Sequence, residues 1–430
     1  MFKIPERFHP PWRSHSRHPT DRSRPSEAEV ETRFCDWHTH LNFSKDCPLS
    51  IEEYFRERLP RVIRDIPLAG VSITDHNTID AYTVGKAEAH LRQMNNRLST
   101  QVKLLLGTEL SLDVAAGGHK QHVHFLFYHP NTKGGLEKTA EWLQQGLLGD
   151  IMARIRTQNN ERHRIMAKKA ANYLDLKEED TKALHSIIEM ERGLSREIGR
   201  EHVKRALTIL FPSLNERIHT MLSRPGGKND SSCYVATEEV KGLDVPYLPT
   251  LEALAQEYRM GMVVMAHPWR YDAGFEFADR NKAKEGILID MSRFVPYLAE
   301  RRLIKGIEIY GYYPIPNYLR SMDREDLLEN NVPRNIVDSV RRPVRLDRDT
   351  GRQFRVKHVR YTGTTYRMMA IENDLICTGG NDSHGEELPG GKPDIPIGYG
   401  CRETDPLPYH MTGVRHTPAR PIPALGSMTR

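Results

Sequence analysis

The chain has 430 residues, 38% hydrophobic and 28% charged, which is enough for a large core and for two domains or one barrel with insertions. Its formal charge of +5 permits an anionic substrate but does not require one. The chain shows no apolar run of the roughly eighteen residues that a membrane helix needs, no signal-peptide pattern and only five scattered cysteines, so the composition predicts a cytoplasmic protein with reduced thiols.

The first candidate functional residues follow a polar N-terminal segment. Residues 1–30 are rich in Pro, Arg, His and Ser, a composition that predicts a disordered basic leader. The run Arg33–His40 predicts a short strand, and alternation along it places Asp36, His38 and His40 on one face. Two imidazoles on one strand face can bind one metal ion, although an ordinary polar strand end explains the pair at least as well.

The first part of the predicted barrel, residues 31–130, repeats a pattern of apolar strand, polar tip and helix. The helices are predicted at about 50–66 and 79–98. The strands are predicted at 71–74, before Asp75 and His76; at 102–106, before Glu109; and at 121–128, with His122 and His124 on one face. This pattern is typical of an α/β barrel, in which functional residues lie at the C-terminal ends of strands.

A long helical segment then interrupts the barrel. Residues 131–245 show helical spacing and no strand before 233–236, so they predict an insertion whose apolar stripes are core rather than a cofactor site. The barrel resumes over 246–313, with strands at 261–266, before His267, and at 306–310.

The C-terminal third contains a second interruption. Residues 314–370 predict a strongly basic insertion with a hairpin around Asp349–Gly351. Residues 371–401 predict the last part of the barrel, where a strand at 375–378 leads to Asp382 and His384. Residues 402–430 are rich in proline and predict a disordered tail.

The strand tips share one chemistry. In chain order they contain DWHTH, TDHN, GTELS, HVHFLFY, AHPWRY, GIEIY and GGNDSHG. Any one of them could be a capped strand end, but so many imidazoles and carboxylates at the same end of successive strands predict a shared metal cluster. Mixed imidazole and carboxylate ligands favour Mn, Fe or Zn over Mg or Ca.

These fragments resemble the PHP (polymerase and histidinol phosphatase) superfamily over about residues 34–400, apart from 314–370. The resemblance implies a distorted (β/α)7 barrel that binds up to three divalent metals. It extends to a branch of nucleoside monophosphate and bisphosphate phosphatases and 5′–3′ exoribonucleases. That branch carries a helical insertion with a GRPHIARAL-like helix start, similar to Gly199–Leu207 here, and an AHPxRY motif, matched by Ala266–Tyr271.

By position, the resemblance implies a set of nine metal ligands. One of them is less direct, because the family pattern HxHTxxSD places its aspartate where this chain has Lys45, and one inserted residue is needed to reach Asp46. Without Asp46, the site would be binuclear. His122 is predicted to support the ligands rather than to be one. The implied ligands are His38, His40, Asp46, His76, Glu109, His124, His267, Asp382 and His384.

The same resemblance implies a phosphoesterase that uses two or three divalent metals. Glu109 and Asp382 are the expected bridging carboxylates, and the metals would lower the pKa of water towards ~7 for attack on phosphorus. Arg200 and Arg270 offer planar donor pairs suited to phosphate. His202 is expected to bind phosphate or to protonate the leaving oxygen, and Asp36 is a candidate to orient a ligand imidazole.

The expected substrate is a nucleotide or single-stranded nucleic acid. Cations interleaved with Phe354 and Tyr361 suit a single strand with stacked bases, although a solvated basic lid explains them as well. Other interpretations are a nuclease acting within polynucleotides, a metal-dependent amidohydrolase and a non-catalytic binding module. The cations between 341 and 367 are Arg341, Arg342, Arg345, Arg348, Arg352, Arg355, Lys357, Arg360 and Arg367.

Overall fold

A computed structural model describes residues 34–65, 68–116, 119–223, 230–240, 244–271, 289–310, 365–380 and 382, and four two-residue strands between 345 and 393. The predicted leader (1–30), the predicted tail (402–430), His384 and most of the basic insertion lie outside these residues. Among the described residues, no helix combines the length and apolar character needed to cross a bilayer.

Seven strands form the central sheet, in the order β1-β2-β3-β4-β5-β6-β9. The remaining strands pair two by two, and β7 and β8 flank the predicted hairpin around Asp349–Gly351. The strands are β1 (Phe34–Thr39), β2 (Leu68–Ile73), β3 (Lys103–Ala116), β4 (His119–His129), β5 (Met262–Met265), β6 (Gly306–Tyr310), β7 (Arg345–Leu346), β8 (Gln353–Phe354), β9 (Ile376–Gly379), β10 (Glu387–Leu388) and β11 (Lys392–Pro393).

Helices cover the outside of the sheet and form most of the predicted helical insertion. The first two are joined by a π-helical turn at Tyr54–Arg58, and Ser50 caps the first by accepting the N–H of Glu53. The α-helices are α1 (Ile51–Glu53), α2 (Leu59–Asp65), α3 (Asp80–Thr83), α4 (Ala87–Leu98), α5 (Leu136–Gln144), α6 (Leu147–Tyr173), α7 (Glu178–Arg192), α8 (Arg200–Leu210), α9 (Asn215–Leu222), α10 (Tyr247–Glu257), α11 (Met291–Glu300) and α12 (Thr365–Glu372).

The two ends of the sheet approach each other, so the sheet nearly closes into a barrel. The N–H of Asp382, just after β9, donates to the carbonyl of His38 in β1 at 2.9 Å. A Cβ atom added at Gly380 would lie 2.2 Å from Cβ of His38, so only glycine permits this approach. The predicted fold class, a distorted seven-stranded α/β barrel, is confirmed.

The strand pairing differs from the predicted strand–tip–helix repeat in its middle. The pairs β1/β2, β2/β3, β5/β6 and β6/β9 are parallel, but β4 runs antiparallel to both β3 and β5. The prediction that β3 ends at residue 106 was wrong, because the strand continues to Ala116 as one arm of a long hairpin. The strand predicted at 233–236 is also absent, since Cys233 and Val235 instead pack into a helical core.

The described residues contain separate apolar cores for the barrel and the helical insertion. One cluster, including Trp37, Leu105 and Tyr128, fills the inside of the barrel. The long helix α6 joins the outer core of the barrel, through residues such as Ile155, to the core of the insertion, through residues such as Met166. The insertion is therefore anchored to the barrel through one continuous helix.

Candidate metal centre

The predicted ligand residues converge because the loops after several strands lie beside the middle of the β3–β4 hairpin. His76, after β2, bridges to Glu109 in β3, and the N–H of Ala266, after β5, donates to the carbonyl of His124 in β4 at 3.1 Å. Glu109 therefore lies inside a strand and not beyond a strand end, contrary to the prediction, whereas His124 lies inside a strand, as the predicted strand at 121–128 implies. They nevertheless face the loops that carry His76 and His267.

One group of ligand atoms comes from both ends of the sheet. Four atoms, one each from His38, His40, Glu109 and Asp382, lie within 4.8 Å of one another, and all four residues are buried. The Nε2 atoms of His38 and His40 are 3.1 Å apart. Each lies 3.2–3.4 Å from Glu109 Oε2 and from Asp382 Oδ1. Two carboxylates thus flank a pair of imidazole nitrogens.

A second group shares the carboxylate of Glu109. His76 Nδ1 lies 3.0 Å from Oε2 of Glu109, while His124 Nδ1 and His267 Nε2 lie 2.7 and 2.9 Å from its Oε1. On its other side, His76 Nε2 lies 3.4 Å from Asp46 Oδ2. Glu109 is therefore the common member of both groups, and Asp46 is at the edge of the second.

The ionisation of these groups reflects their mutual contacts. Burial opposes ionisation of Glu109, but the imidazoles of His124, His76 and His38 hold its pKa well below the ordinary value. Burial also opposes protonation of His38, yet the carboxylates of Glu308, Glu109 and Asp382 raise its pKa well above the ordinary value. For His76, burial dominates and lowers the pKa to about 4. The centre therefore attracts positive charge.

Glu308 borders the candidate centre, and the sequence analysis did not select it. It is buried in β6, where its Oε1 lies 3.1 Å from His38 Nδ1 and its Oε2 accepts the backbone N–H of His267 at 2.7 Å. Burial raises the pKa of Glu308, with His38 opposing that shift. The sequence GIEIY contained an indication of this residue, because a single glutamate occupies a buried position in an otherwise apolar strand.

Asp36 lies next to the backbone of His38, and its role in orienting a ligand imidazole stays a prediction. Its Oδ1 lies 3.4 Å from the backbone N–H of His38, whose Nδ1 faces Glu308. The pairing of β1 with β2 shifts register between Asp36 and Thr39, which is the stretch that contains His38.

Two short side chains connect the loops that carry the histidines. Ser44 Oγ lies 3.0 Å from His40 Nδ1 and accepts the N–H of His76 at 2.8 Å. Asp75 accepts the N–H of Leu41 at 2.6 Å, and burial raises the pKa of its carboxyl to about 7. These contacts fix the loop after β1 against the loop after β2.

The three predicted phosphate-binding residues are in different environments. Arg270 Nη2 lies 2.5 Å from Asp382 Oδ2, so it adjoins the first group of ligands. Arg200, at the start of α8, is 40% exposed and pairs with Glu201 at 3.4 Å. The described contacts therefore connect Arg270 with the centre directly, whereas Arg200 lies at its helical border.

The tautomer of His202 follows from its hydrogen bond. Its Nδ1 accepts the N–H of Gly199 at 3.0 Å, which requires the proton of the neutral imidazole to be on Nε2. Burial and the charge of Arg205 lower its pKa to about 4, although Asp46 acts in the opposite direction. At neutral pH, His202 is thus a hydrogen-bond donor through Nε2.

His122 belongs to a separate polar pair. Its Nδ1 lies 2.8 Å from Asp113 Oδ1, and the other oxygen of Asp113 accepts from Gln158 and from the N–H of Val245, each at 3.2 Å. Burial lowers the pKa of His122. Although it shares a strand with His124, its partners in the described part of the chain are Asp113 and Thr237, whose Oγ1 lies 3.4 Å from His122 Nε2.

The structure thus brings eight of the nine predicted ligands into one region, and His384 lies outside the described residues. No family model and no curated protein matches the sequence. The chain is similar to several solved structures, including the three that follow.

The first of these is a predicted metal-dependent phosphoesterase from Bifidobacterium adolescentis, at 18% identity and a TM-score of 0.48, over 87% of this chain and 94% of that one. The second is an amidohydrolase from Chromobacterium violaceum, with bound sulfate and no metal, at 18% identity and 0.47, over 87% and 92%. The third is a two-domain protein from Bacteroides vulgatus that contains a predicted PHP-like metal-dependent phosphoesterase, at 12% identity and 0.24, over 70% and 49%.

Proposed function

We propose that the protein is a PHP-type metal-dependent phosphoesterase that hydrolyses phosphate esters of nucleotides or of nucleic-acid 5′ ends. The observation that carries the proposal is the buried carboxylate of Glu109, which is shared by two groups of imidazole and carboxylate atoms. One carboxylate can hold two cations, so this arrangement suits neighbouring metal ions.

The residues of the centre suit a divalent cation because lone pairs and negative charge converge there. In neutral His38, the proton on Nδ1 faces Glu308, so the Nε2 lone pair points at His40 Nε2 and at two carboxylate oxygens. Such a concentration of lone pairs and negative charge is unfavourable in a buried site without a positive charge among them. A proton or a metal ion supplies that charge, and imidazole with carboxylate suits Mn, Fe or Zn.

The proposed metal-binding residues divide into two sets. The first would hold one ion through His38, His40, Glu109 and Asp382. The second would hold one or two ions through His76, Glu109, His124, His267 and Asp46. His384 is a further proposed ligand, on the basis of its position in the sequence alone. Divalent cations bound there would lower the pKa of water and neutralise the charge of a phosphate.

The remaining residues would bind the phosphate and orient it. Arg270, next to Asp382, presents a guanidinium at the border of the centre. His202 is suited to donating a hydrogen bond from Nε2 to a phosphate oxygen. Because its Nδ1 is occupied as an acceptor and its pKa is about 4, it is not suited to proton donation at neutral pH.

Metal content and substrate choice test this proposal together. We expect two or three metals per chain after Mn²⁺ supplementation, and hydrolysis of AMP, 3′,5′-bisphosphoadenosine or a 5′-phosphorylated oligonucleotide. Elemental analysis with fewer than one metal per chain would overturn the catalytic proposal. Release of ammonia from the base but no phosphate would instead favour the amidohydrolase interpretation.

The basic insertion bears on the choice between mononucleotide and polynucleotide. We propose that it guides a single-stranded 5′ end to the centre, because its cations are interleaved with the aromatic residues Phe354 and Tyr361. Charge reversal at Arg345, Arg355, Lys357 and Arg360 should weaken oligonucleotide binding and flatten the salt dependence by roughly 0.7 per lost contact. Mononucleotide hydrolysis should be unchanged. Wild-type oligonucleotide binding by this variant would exclude the guide role and favour small nucleotides.

A further inference from the structure

Lys45 directly precedes the proposed metal ligand Asp46, and its positive charge acts on three nearby imidazoles. The ammonium of Lys45 contributes to lowering the pKa of His122, His163 and His202. A positive charge next to a divalent-cation site weakens binding of that cation. Binding of a divalent cation beside Asp46 is therefore favoured if another group neutralises the positive charge of Lys45.

Glu197, in the segment before α8, is the partner of this lysine. It is buried, and its Oε1 contacts Lys45 Nζ. The same oxygen accepts from Asn159 Nδ2 at 2.8 Å, and Oε2 accepts from Asn77 Nδ2 at 2.8 Å. Burial would raise the pKa of Glu197, but Lys45 and Asn77 hold it below the ordinary value. Glu197 is thus an ionised carboxylate held by three donors.

These donors connect Glu197 to the elements that build the centre. Asn77 directly follows the proposed ligand His76, and Asn159 belongs to α6. The stem of Lys45 passes close to the backbone before α8, since a Cβ atom added at Gly199 would lie 3.3 Å from its Cβ and Cγ. Lys45 is directed to the helical insertion, while the adjacent Asp46 contacts His76.

We infer that Glu197 is a positioning residue for the metal centre, because it neutralises Lys45 and holds it towards the insertion, which leaves Asp46 available to a divalent cation. The inference rests on the proposed function, since it concerns the same centre. The competing explanation is that Glu197 only fixes the insertion to the barrel.

Two variants separate these explanations. Glu197→Gln and Lys45→Gln/Glu197→Gln both lack the carboxylate and lose the same anchoring, but only the first keeps the charge of Lys45. In calorimetric titration with Mn²⁺ alone, we expect Glu197→Gln to bind at least one ion weaker than wild type by on the order of tenfold. The double variant should recover most of that loss.

A matched pair serves as the control. Lys169 Nζ and Glu239 Oε2 form an exposed ion pair at 2.6 Å, and the corresponding glutamine variants should bind Mn²⁺ like wild type. If Glu197→Gln does not fold, Glu197→Asp keeps the charge but shortens the side chain, so its contact with Lys45 should loosen. Mn²⁺ binding should then weaken by a smaller factor than in Glu197→Gln, and adding Lys45→Gln should reverse that loss; equal affinities with and without Lys45 would overturn the positioning role.

The outcomes have distinct meanings. Equal Mn²⁺ affinities for the variants with and without Lys45 would overturn the positioning role. A wild-type protein that binds no Mn²⁺ would overturn the proposed function instead.

Discussion

Replacing Glu308 by glutamine should weaken metal binding although Glu308 is not among the proposed ligands. Its two oxygens serve two donors, His38 Nδ1 at 3.1 Å and the backbone N–H of His267 at 2.7 Å. Glutamine offers one acceptor oxygen and one NH₂ group. When His38 is protonated, or binds a metal through Nε2, its Nδ1 carries a proton, and whichever way the amide turns one of these donors then faces another donor.

The magnitude follows from this lost acceptor. A buried donor left without an acceptor costs about 1–3 kcal/mol, which the metal-free variant should show as a lower free energy of unfolding. The tautomer and orientation of His38 also depend on Glu308, and removal of such a supporting partner typically reduces metal affinity by ~10–100-fold. Unfolding in urea with chelator and calorimetric titration with Mn²⁺ measure the two effects separately.

The control for this variant is Glu300→Gln in α11. Glu300 is exposed, so the same chemical change should alter neither stability nor Mn²⁺ affinity. If Glu308→Gln bound Mn²⁺ with wild-type affinity and kept wild-type stability, the proposed orientation of His38 by Glu308 would be refuted.

Three further predictions concern the centre and its border. His267→Ala and Asp382→Asn should lose most phosphoesterase activity while retaining the circular dichroism of the folded protein, since each removes a ligand and spares the barrel core; activity near wild type would contradict their role. Arg200→Ala and Arg270→Ala should raise KM or lower kcat/KM for nucleotides, with the larger effect for Arg270, and unchanged kinetics in both would exclude phosphate binding by these arginines. When the pH falls from about 6.5 towards 4, the free energy of unfolding of the metal-free wild type should decrease more than that of His202→Asn. The reason is that the imidazole takes up a proton in the unfolded chain but not in the native protein, where the pKa of His202 is about 4. Equal decreases in the two proteins, measured by urea unfolding, would refute this.

Much of the barrel could be predicted because its parallel strands carry polar tips on the same side. His38, His40, His76 and His267 each follow or end an apolar run, and strand direction alone brings such residues together. The antiparallel hairpin could not be predicted in this way. Glu109 was placed beyond a strand that was predicted to end at residue 106, yet the ladder with β4 continues past it to Ala116.

The remaining contacts depend on pairs that are distant in sequence. Glu308 meets His38 only because β6 and β1 approach through the nearly closed sheet, and one glutamate in an apolar strand gives no indication of its partner. Lys45 and Glu197 are 152 positions apart, and neither spacing nor periodicity relates a turn after β1 to the segment before α8. Their pairing is a product of how the insertion packs on the barrel.

The place where β1 meets the segment after β9 has a consequence for the order in which the molecule can be assembled. His38 belongs to the first described strand, whereas Gly380 and Asp382 come after the last strand of the central sheet. Because a chain is synthesised from its N-terminus, the histidines of β1 exist long before Asp382 can reach them. A nascent chain can therefore build the hairpin with Glu109 and His124 early, but the first group of ligands is completed only when the two ends of the sheet meet. A metal ion bound there would link the two ends of the sheet, so its binding would indicate that the barrel has closed.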